Sequence, residues 1–431
     1  MRRATILIKG GKVIDPATSR EGEADLLIEE GRIKSIGKAI SGKGAEIIDA
    51  KGKYVLPGLI DIHTHLRDPG RGDDETIASG TRAAALGGFT SIACMPNTNP
   101  PIDNPSVVEY IISRTKMEGV VRVYPIGAVT KGREGLELAE MARMMDEGAV
   151  AFSDDGSPVA DSGVMRRALE YLRQFNIPII SHCEDLNLSK GGNMNEGYVS
   201  TMLGLPGIPS LAEEIMVARD IMLAKEFGRV HIAHVSTKGS VDLIRRAKRE
   251  GAPVTAETCP HYFTLTEAEV EGYNTNAKVS PPLRGEKDVA AIVEGLKDGT
   301  IDVISTDHAP HAIEKKKIEF GLAASGMVGL ETALPLVFTE LVLTGKLSLP
   351  KAIEKMTSIP AKILKLNRGV LKQGADADVI VFDPKSDFVV DVNKFASKSK
   401  NSPFHGWKLK GRVLYTIVDG RIAVKNGKLI V

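Results

Sequence analysis

The chain is short of several things that would assign it to a specialised class. It has three cysteines in 431 residues, in separate apolar stretches without CxxC spacing, which excludes a disulfide scaffold. Lys plus Arg number 56 against 55 Asp plus Glu, so no charge bias favours nucleic acid. No apolar run approaches the roughly 18 residues of a membrane span. With no apolar signal core after Met1, we expect a cytoplasmic protein bound to neither nucleic acid nor membrane.

Alternating strand and helix patterns fill the middle of the sequence, and they predict a closed parallel (β/α)8 barrel. An open doubly wound sheet is the alternative. The eight predicted strands are YVLPGLIDIH, FTSIACM, VVRVYPIG, AVAFS, IPIISH, RVHIAHV, PVTAETC and IDVIST. Helical patterns lie between most of them, at Thr76 to Leu86, Leu136 to Glu147, Ser162 to Phe175, Leu211 to Phe227 and Gly239 to Glu250.

Both ends of the chain show short alternating segments separated by glycine turns, a pattern typical of hairpins. A small sheet cannot bury one face alone, so we expect both termini to form one composite β-sandwich domain. The predicted organisation is 1–54 and 365–431 as the two parts of that domain, with 55–364 as the barrel.

Rare polar residues coincide with the ends of the predicted strands, where a barrel places its active site. They are His63 and His65, Asn97, Asp154 and Asp155, His182, His234, and the group Asp307, His308 and His311. Six such coincidences in one chain predict a single polar site.

His63 and His65 lie two residues apart, so both imidazoles point to the same side of a strand. Two core histidines bonded to the backbone would explain this pair alone. His182 and His234 at later strand ends turn it into a metal-binding set, because imidazole is a common zinc ligand.

Two divalent cations also need an anionic ligand, and either Asp154 or Asp155 could bridge them. Asp307 is a further candidate ligand that could also carry a proton. His308 directly follows Asp307 and should point elsewhere, so we interpret it as structural.

Arg67 continues the two-residue period of His63 and His65, and could pair with a substrate carboxylate. Asn97 and His311 could add hydrogen bonds to the same group. The basic run from Ile313 to Phe320 is interpreted as a solvated loop.

The motifs GLIDIHTHLRDPG, MPNTNPP, AFSDDGSP, ISHCED, AHVST, PPLR and TDHAPH occur in this order. Together they resemble the long bacterial and archaeal dihydroorotases of the amidohydrolase superfamily, over nearly the whole chain. The resemblance implies one or two Zn²⁺ ions, with two favoured, held by His63, His65 and Asp307 and by His182 and His234. It implies Asp155 as the bridge, in place of the carboxylated lysine of hydantoinases.

The resemblance also implies substrate contacts: Arg67, Asn97 and His311 for the carboxylate, and Ser325 and Gly326 for the ring. In PPLR the preceding residue is commonly Asn, but here it is Ser280. Its shorter hydroxyl would need a water to span the gap. The segment ETCPHYFTLT is closer to the sequence usual in allantoinases and hydantoinases than to the TPHH common in dihydroorotases.

The implied reaction is the reversible cyclisation of N-carbamoyl-L-aspartate to L-dihydroorotate, in pyrimidine biosynthesis. A metal-activated hydroxide and Asp307 as general acid and base would carry it. An allantoinase, a hydantoinase and a non-catalytic partner protein are the alternatives. We also expect a homo-oligomer, with an association with aspartate transcarbamoylase left open.

Overall fold

The computed structural model describes residues 5–430. Its strands are β1 (Ile6–Asp15), β2 (Arg20–Glu29), β3 (Arg32–Gly37), β4 (Glu46–Asp49), β5 (Tyr54–Pro57), β6 (Leu59–Thr64), β7 (Phe89–Cys94), β8 (Arg122–Gly127), β9 (Ala151–Phe152), β10 (Ile179–Ser181), β11 (Met194–Asn195), β12 (Gly207–Ile208), β13 (Val230–Ile232), β14 (Val254–Thr258), β15 (Val303–Ile304), β16 (Val379–Val389), β17 (Lys408–Val418), β18 (Arg421–Lys425) and β19 (Lys428–Leu429).

The α-helices are α1 (Ile77–Gly87), α2 (Pro105–Glu118), α3 (Met141–Asp146), α4 (Ser162–Arg173), α5 (Leu186–Ser189), α6 (Tyr198–Leu203), α7 (Leu211–Phe227), α8 (Lys238–Arg249), α9 (Pro260–Thr264), α10 (Glu286–Asp298), α11 (Ile313–Lys316), α12 (Ala333–Leu336), α13 (Leu349–Glu354) and α14 (Ser358–Ile363). A π-helix (Val337–Val342) follows α12. Within residues 5–430, no helix combines the length and the apolar character that crossing a membrane requires.

The barrel is an eight-stranded parallel sheet in the order β15, β14, β13, β10, β9, β8, β7, β6. It closes where Thr64 pairs with His308 and the His65 amide donates to the His308 carbonyl at 2.8 Å. At the opposite end, Met356 accepts a hydrogen bond from Ile60, and Lys355 accepts one from Ile304. The predicted barrel is confirmed and the open sheet is excluded.

Both faces of the barrel strands are covered, so most of their residues are apolar and the polar ones, such as Asp61 and His63 in β6, are buried as well. Every residue of β6 and β7 is buried, and the surrounding helices turn one apolar face inward. In α4 that face is Val164, Met165, Ala168, Leu169 and Leu172. Burial of each large aliphatic side chain contributes roughly 1.5–3 kcal/mol, so this packing fixes the strand ends that carry the site.

The two ends of the chain form one mixed nine-stranded sheet, in the order β19, β18, β17, β16, β5, β1, β2, β3, with β4 beside β1. Both termini contribute, as predicted. All of their strands belong to one hydrogen-bonded sheet, because β5 pairs with both β1 and β16.

The strand predicted over 54–63 is two strands that belong to different sheets. Gly58 separates them, and a Cβ there would lie 2.2 Å from the Thr90 hydroxyl oxygen. The terminal sheet therefore extends to Pro57, and the division into 1–54, 55–364 and 365–431 stays a prediction.

Candidate active site

His63 and His65 lie at the carboxyl end of β6, on the same side of the chain, and are buried. His63 Nε2 is 3.3 Å from Asp155 Oδ1, and His65 Nε2 is 3.5 Å from Asp155 Oδ2. The carboxylate of Asp155, which follows β9, thus faces both imidazoles.

His182 follows β10 and His234 follows β13, and both reach the same carboxylate. His182 Nδ1 and His234 Nε2 each lie 3.5 Å from Asp155 Oδ1, and 2.8 Å from one another. Two groups that could hold a metal ion result, and Asp155 belongs to both: His63, His65 and Asp155, and Asp155, His182 and His234.

Asp154 has a different task, and this decides between the two adjacent aspartates. Its carboxylate accepts hydrogen bonds from the Val129 amide at 2.8 Å, the Thr130 amide at 3.2 Å and the Thr130 hydroxyl. Asp154 therefore holds the loop after β8, while only Asp155 faces the histidines.

The donor set fits a metal ion. His63 Nε2 and Asp155 Oδ1 are buried and have no hydrogen-bond partner within residues 5–430. Unpartnered buried polar atoms are costly, and several aimed at one point suit a divalent cation bound by imidazole and carboxylate.

The outer nitrogens of three histidines are held by acceptors, which leaves each inward nitrogen free to ligate. Glu257 lies 2.5 Å from His63 Nδ1, Asn97 Oδ1 lies 2.8 Å from His65 Nδ1, and Glu184 lies 2.9 Å from His182 Nε2. This set of partners fixes the tautomer of each ring.

Glu257 and Glu184 are site residues that were not predicted, and Asn97 was predicted in a different role. Glu257 is fully buried at the end of β14, where it also accepts from Ser305 Oγ at 2.6 Å and lies 3.3 Å from His231 Nε2. Burial would raise its pKa, but the charge of His63 and the bonds from both histidines lower it far below its usual value. The signal was available: Glu257 ends a predicted strand, and Glu184 lies two residues after His182.

Asp307 follows β15 and touches the first histidine pair. Its Oδ1 is 3.0 Å from His65 Nε2 and 3.6 Å from His63 Nε2. Burial alone would raise its pKa, but the hydrogen bond from His65 and the neighbouring histidine charges lower it to about 2. The carboxylate is therefore ionised at neutral pH and able to receive a proton.

A cavity of about 250 Å³ opens above this cluster, and all six predicted substrate residues line it: Arg67, Asn97, Ser280, His311, Ser325 and Gly326. Arg67 Nε donates to the Pro310 carbonyl at 3.2 Å. His311 Nε2 donates to the Ser325 carbonyl at 2.7 Å.

The charges of these two residues differ. Burial lowers the pKa of Arg67 only to about 10, so it stays a cation. Burial and the Arg67 charge lower the pKa of His311 to about 3, so it is neutral. The N–H of neutral His311 is bonded to Ser325, so Arg67 is the charged donor of this pair for a single carboxylate.

Three residues that line the cavity have a left-handed backbone: Arg67 at φ 60°, His234 at φ 33° and Asp307 at φ 46°. Non-glycine residues there cost of order 1–3 kcal/mol each and cluster at functional sites. The fold holds these three side chains in unfavourable positions that aim them at the cavity.

His308 lies away from the cluster, in agreement with its structural interpretation. Its ring contacts Glu75 at 3.2 Å and accepts from the Gly329 amide at 3.2 Å. The solvated-loop interpretation of Ile313 to Phe320 is wrong at two residues, Lys316 and Phe320, each only 3% exposed. The Lys316 ammonium donates to backbone carbonyls.

A (β/α)8 barrel with histidines and carboxylates at its strand ends defines the class of amidohydrolase enzymes. Two family models match the chain: Dihydro-orotase-like over residues 52–240 and Amidohydrolase family over residues 321–424. The dihydroorotase of Acetivibrio thermocellus is 58% identical over 99% of this chain and 100% of its own length. The dihydroorotase of Pelotomaculum thermopropionicum is also 58% identical, over 98% of this chain and 99% of its own length. The chain belongs to the dihydroorotase family.

Solved structures of related enzymes share the fold. L-hydantoinase (dihydropyrimidinase) from Arthrobacter aurescens superposes with a TM-score of 0.89 at 28% identity, over 100% of this chain and 98% of its own. A D-hydantoinase superposes with a TM-score of 0.86 at 25% identity, over 99% of this chain and 96% of its own. The predicted barrel with a composite terminal domain agrees with these neighbours.

Proposed function

We propose that this chain is a dihydroorotase, which interconverts N-carbamoyl-L-aspartate and L-dihydroorotate in pyrimidine biosynthesis. One observation carries the proposal: a single cavity joins the histidine and Asp155 cluster to the Arg67 and His311 pair. The substrate needs both, because it has an amide that reacts and a carboxylate that does not. The identity of 58% to two dihydroorotases supports it.

His63, His65 and Asp307 would hold one Zn²⁺, His182 and His234 a second, with Asp155 between them. Bound zinc supplies a water whose pKa falls from about 15.7 toward about 7, and polarises the ring carbonyl. Two ions fit better than one, because Asp155 belongs to both candidate groups.

Asp307 moves the proton in both directions. In hydrolysis its carboxylate takes a proton from the attacking water and delivers it to the ring nitrogen as the amide bond breaks. In cyclisation it takes the proton from the carbamoyl nitrogen and delivers it to the departing oxygen. The receiving step needs the ionised form of Asp307, which is present at neutral pH.

Arg67, with His311 and Asn97, binds the carboxylate that does not react, and this fixes the orientation of the ring. Ser325 and Gly326 form the wall beside the ring, and Ser280 reaches the substrate through a water. All of these line the same cavity.

A hydantoinase-type activity is the second candidate, because the hydantoinase structures superpose closely. The bridging position favours the first: Asp155 occupies it, and no lysine occurs in AVAFSDDGSPV. A non-catalytic partner protein would have lost ligands, whereas all six are present and converge.

We further propose a cytoplasmic homo-oligomer that is able to associate with an aspartate transcarbamoylase. Cys94, Cys183 and Cys259 are free and buried, which supports a reducing compartment.

Turnover of L-dihydroorotate, hydantoin and allantoin by zinc-loaded protein, with metal content measured on the same sample, tests the proposal. We expect turnover of dihydroorotate alone. Faster turnover of hydantoin or allantoin would replace the proposal with the second candidate, and a metal-free, inactive protein after purification in zinc would refute both.

A further inference from the structure

Lys316 is a buried lysine in the loop after β15, and the reaction described above gives it no role. Its ammonium donates to the carbonyls of Ala324 at 2.8 Å, Gly326 at 3.0 Å and Lys278 at 3.4 Å. All three acceptors are neutral backbone groups, so the charge is bound but not neutralised.

The lysines on either side of Lys316 have different surroundings. Lys315 pairs with Asp74 at 2.7 Å and Lys317 is exposed. Within residues 5–430 no carboxylate lies within salt-bridge distance of Lys316, and burial and the Lys278 charge lower its pKa to about 7. A buried ammonium without a counter-charge is costly, and an anion bound nearby would favour its protonated form.

Lys316 lies directly behind the cavity wall. Gly326 lines the cavity, and its carbonyl accepts from Lys316 and also from Asn401 Nδ2 at 3.0 Å. Its amide donates to the Lys278 carbonyl at 2.8 Å. A Cβ at Gly326 would lie 3.0 Å from His311 Nε2, so the position of this wall decides where His311 can meet a ligand.

The charge of Lys316 also reaches the carboxylate pocket. It contributes to lowering the pKa of His311, together with burial and Arg67. In a desolvated site, the positive charge of Lys316 would attract an anionic ligand more strongly than a neutral one.

We propose that Lys316 is a positioning residue, which holds the Ser325–Gly326 wall and makes the cavity favour a substrate with a carboxylate. The substrate's carboxylate, bound at Arg67 and His311, supplies the counter-charge that the protein lacks. This inference rests on the proposed function and deepens it.

Three variants of the full-length, zinc-loaded enzyme separate the two parts of this role. Lys316→Met removes both the donors and the charge, Lys316→Gln keeps an N–H donor without charge, and Lys317→Met is the exposed matched control. KM and kcat for L-dihydroorotate are measured with the melting temperature and zinc content of each variant.

We expect KM to rise about tenfold or more in Lys316→Met, which loses both the donors and the charge, and by a smaller factor in Lys316→Gln, which loses only the charge. We expect kcat to stay within about threefold, and Lys317→Met to match the wild type. If Lys316→Met does not fold, Lys316→Gln decides. A wild-type KM in Lys316→Gln, or a loss of kcat with KM unchanged, would overturn the proposal. Absence of turnover in the wild type and in Lys317→Met would count instead against the proposed function.

Discussion

Glu257→Gln should weaken zinc binding without unfolding the protein. Glu257 lies at the end of β14, with one oxygen 2.5 Å from His63 Nδ1 and the other 2.6 Å from Ser305 Oγ. The amide can still accept from His63, but it lacks the negative charge that makes the imidazole a stronger ligand.

The expected magnitude follows from the loss of that charge. A hydrogen bond to a charged group contributes about 1.5–3 kcal/mol against about 1 kcal/mol for a neutral one. The difference of about 0.5–2 kcal/mol corresponds to roughly 2- to 30-fold in affinity, which overlaps the roughly 10- to 100-fold typical of residues that orient metal ligands.

Competition with a chromogenic chelator measures this effect independently of catalysis. The affinity should fall for the ion bound by His63 and His65, whereas the affinity for the ion at His182 and His234 should change less. Glu271→Gln, at an exposed glutamate, is the control for removing one negative charge. Wild-type zinc affinity in folded Glu257→Gln would refute the proposed role of Glu257.

Three further outcomes are expected. Arg67→Met should raise KM for dihydroorotate strongly with zinc still bound, measured by steady-state kinetics and metal analysis; loss of zinc would contradict the carboxylate assignment. Asp307→Asn should lower kcat by about 10²–10⁴-fold with the melting temperature kept, and more than about a tenth of wild-type turnover would argue against proton transfer. Burial raises the pKa of Glu331 to about 8, although its carboxylate accepts from the amides of Ala396 and Ser397. Between its unfolded pKa near 4.5 and about 8, the folded form holds the proton more tightly, so ionisation costs stability as pH rises. Glu331→Gln should therefore raise the melting temperature more at pH 9 than at pH 6, and an equal shift at both would contradict this.

Much of the cluster could be predicted because barrel geometry converts chain position into spatial position. Parallel strands of one barrel bring their carboxyl ends to one rim, so His63, His182 and His234 converge once their strands are recognised. The same rule placed Asn97 near the site, although the structure shows it holding His65 at 2.8 Å.

Other features could not be predicted because they depend on contacts between distant segments. The adjacent Asp154 and Asp155 are chemically alike, and only the amides of Val129 and Thr130 separate their roles. Lys316 belongs to a charged segment of a kind that is normally exposed to solvent, and it becomes buried only when the loop folds. The break at Gly58 could not be recognised because the residues next to it on both sides are apolar.

The pairing of β5 with both β1 and β16 has a consequence for synthesis on the ribosome. Pro57 pairs with Val379, 322 residues later in the chain. At about 5–20 residues per second, the edge of β5 waits roughly 16 to 64 seconds for its partner. During that interval one edge of an apolar strand is open to pairing with other nascent chains, and a chaperone that covers apolar strand edges should raise the yield of folded protein. Equal yields with and without such a chaperone in a reconstituted translation system would show that the wait carries no risk.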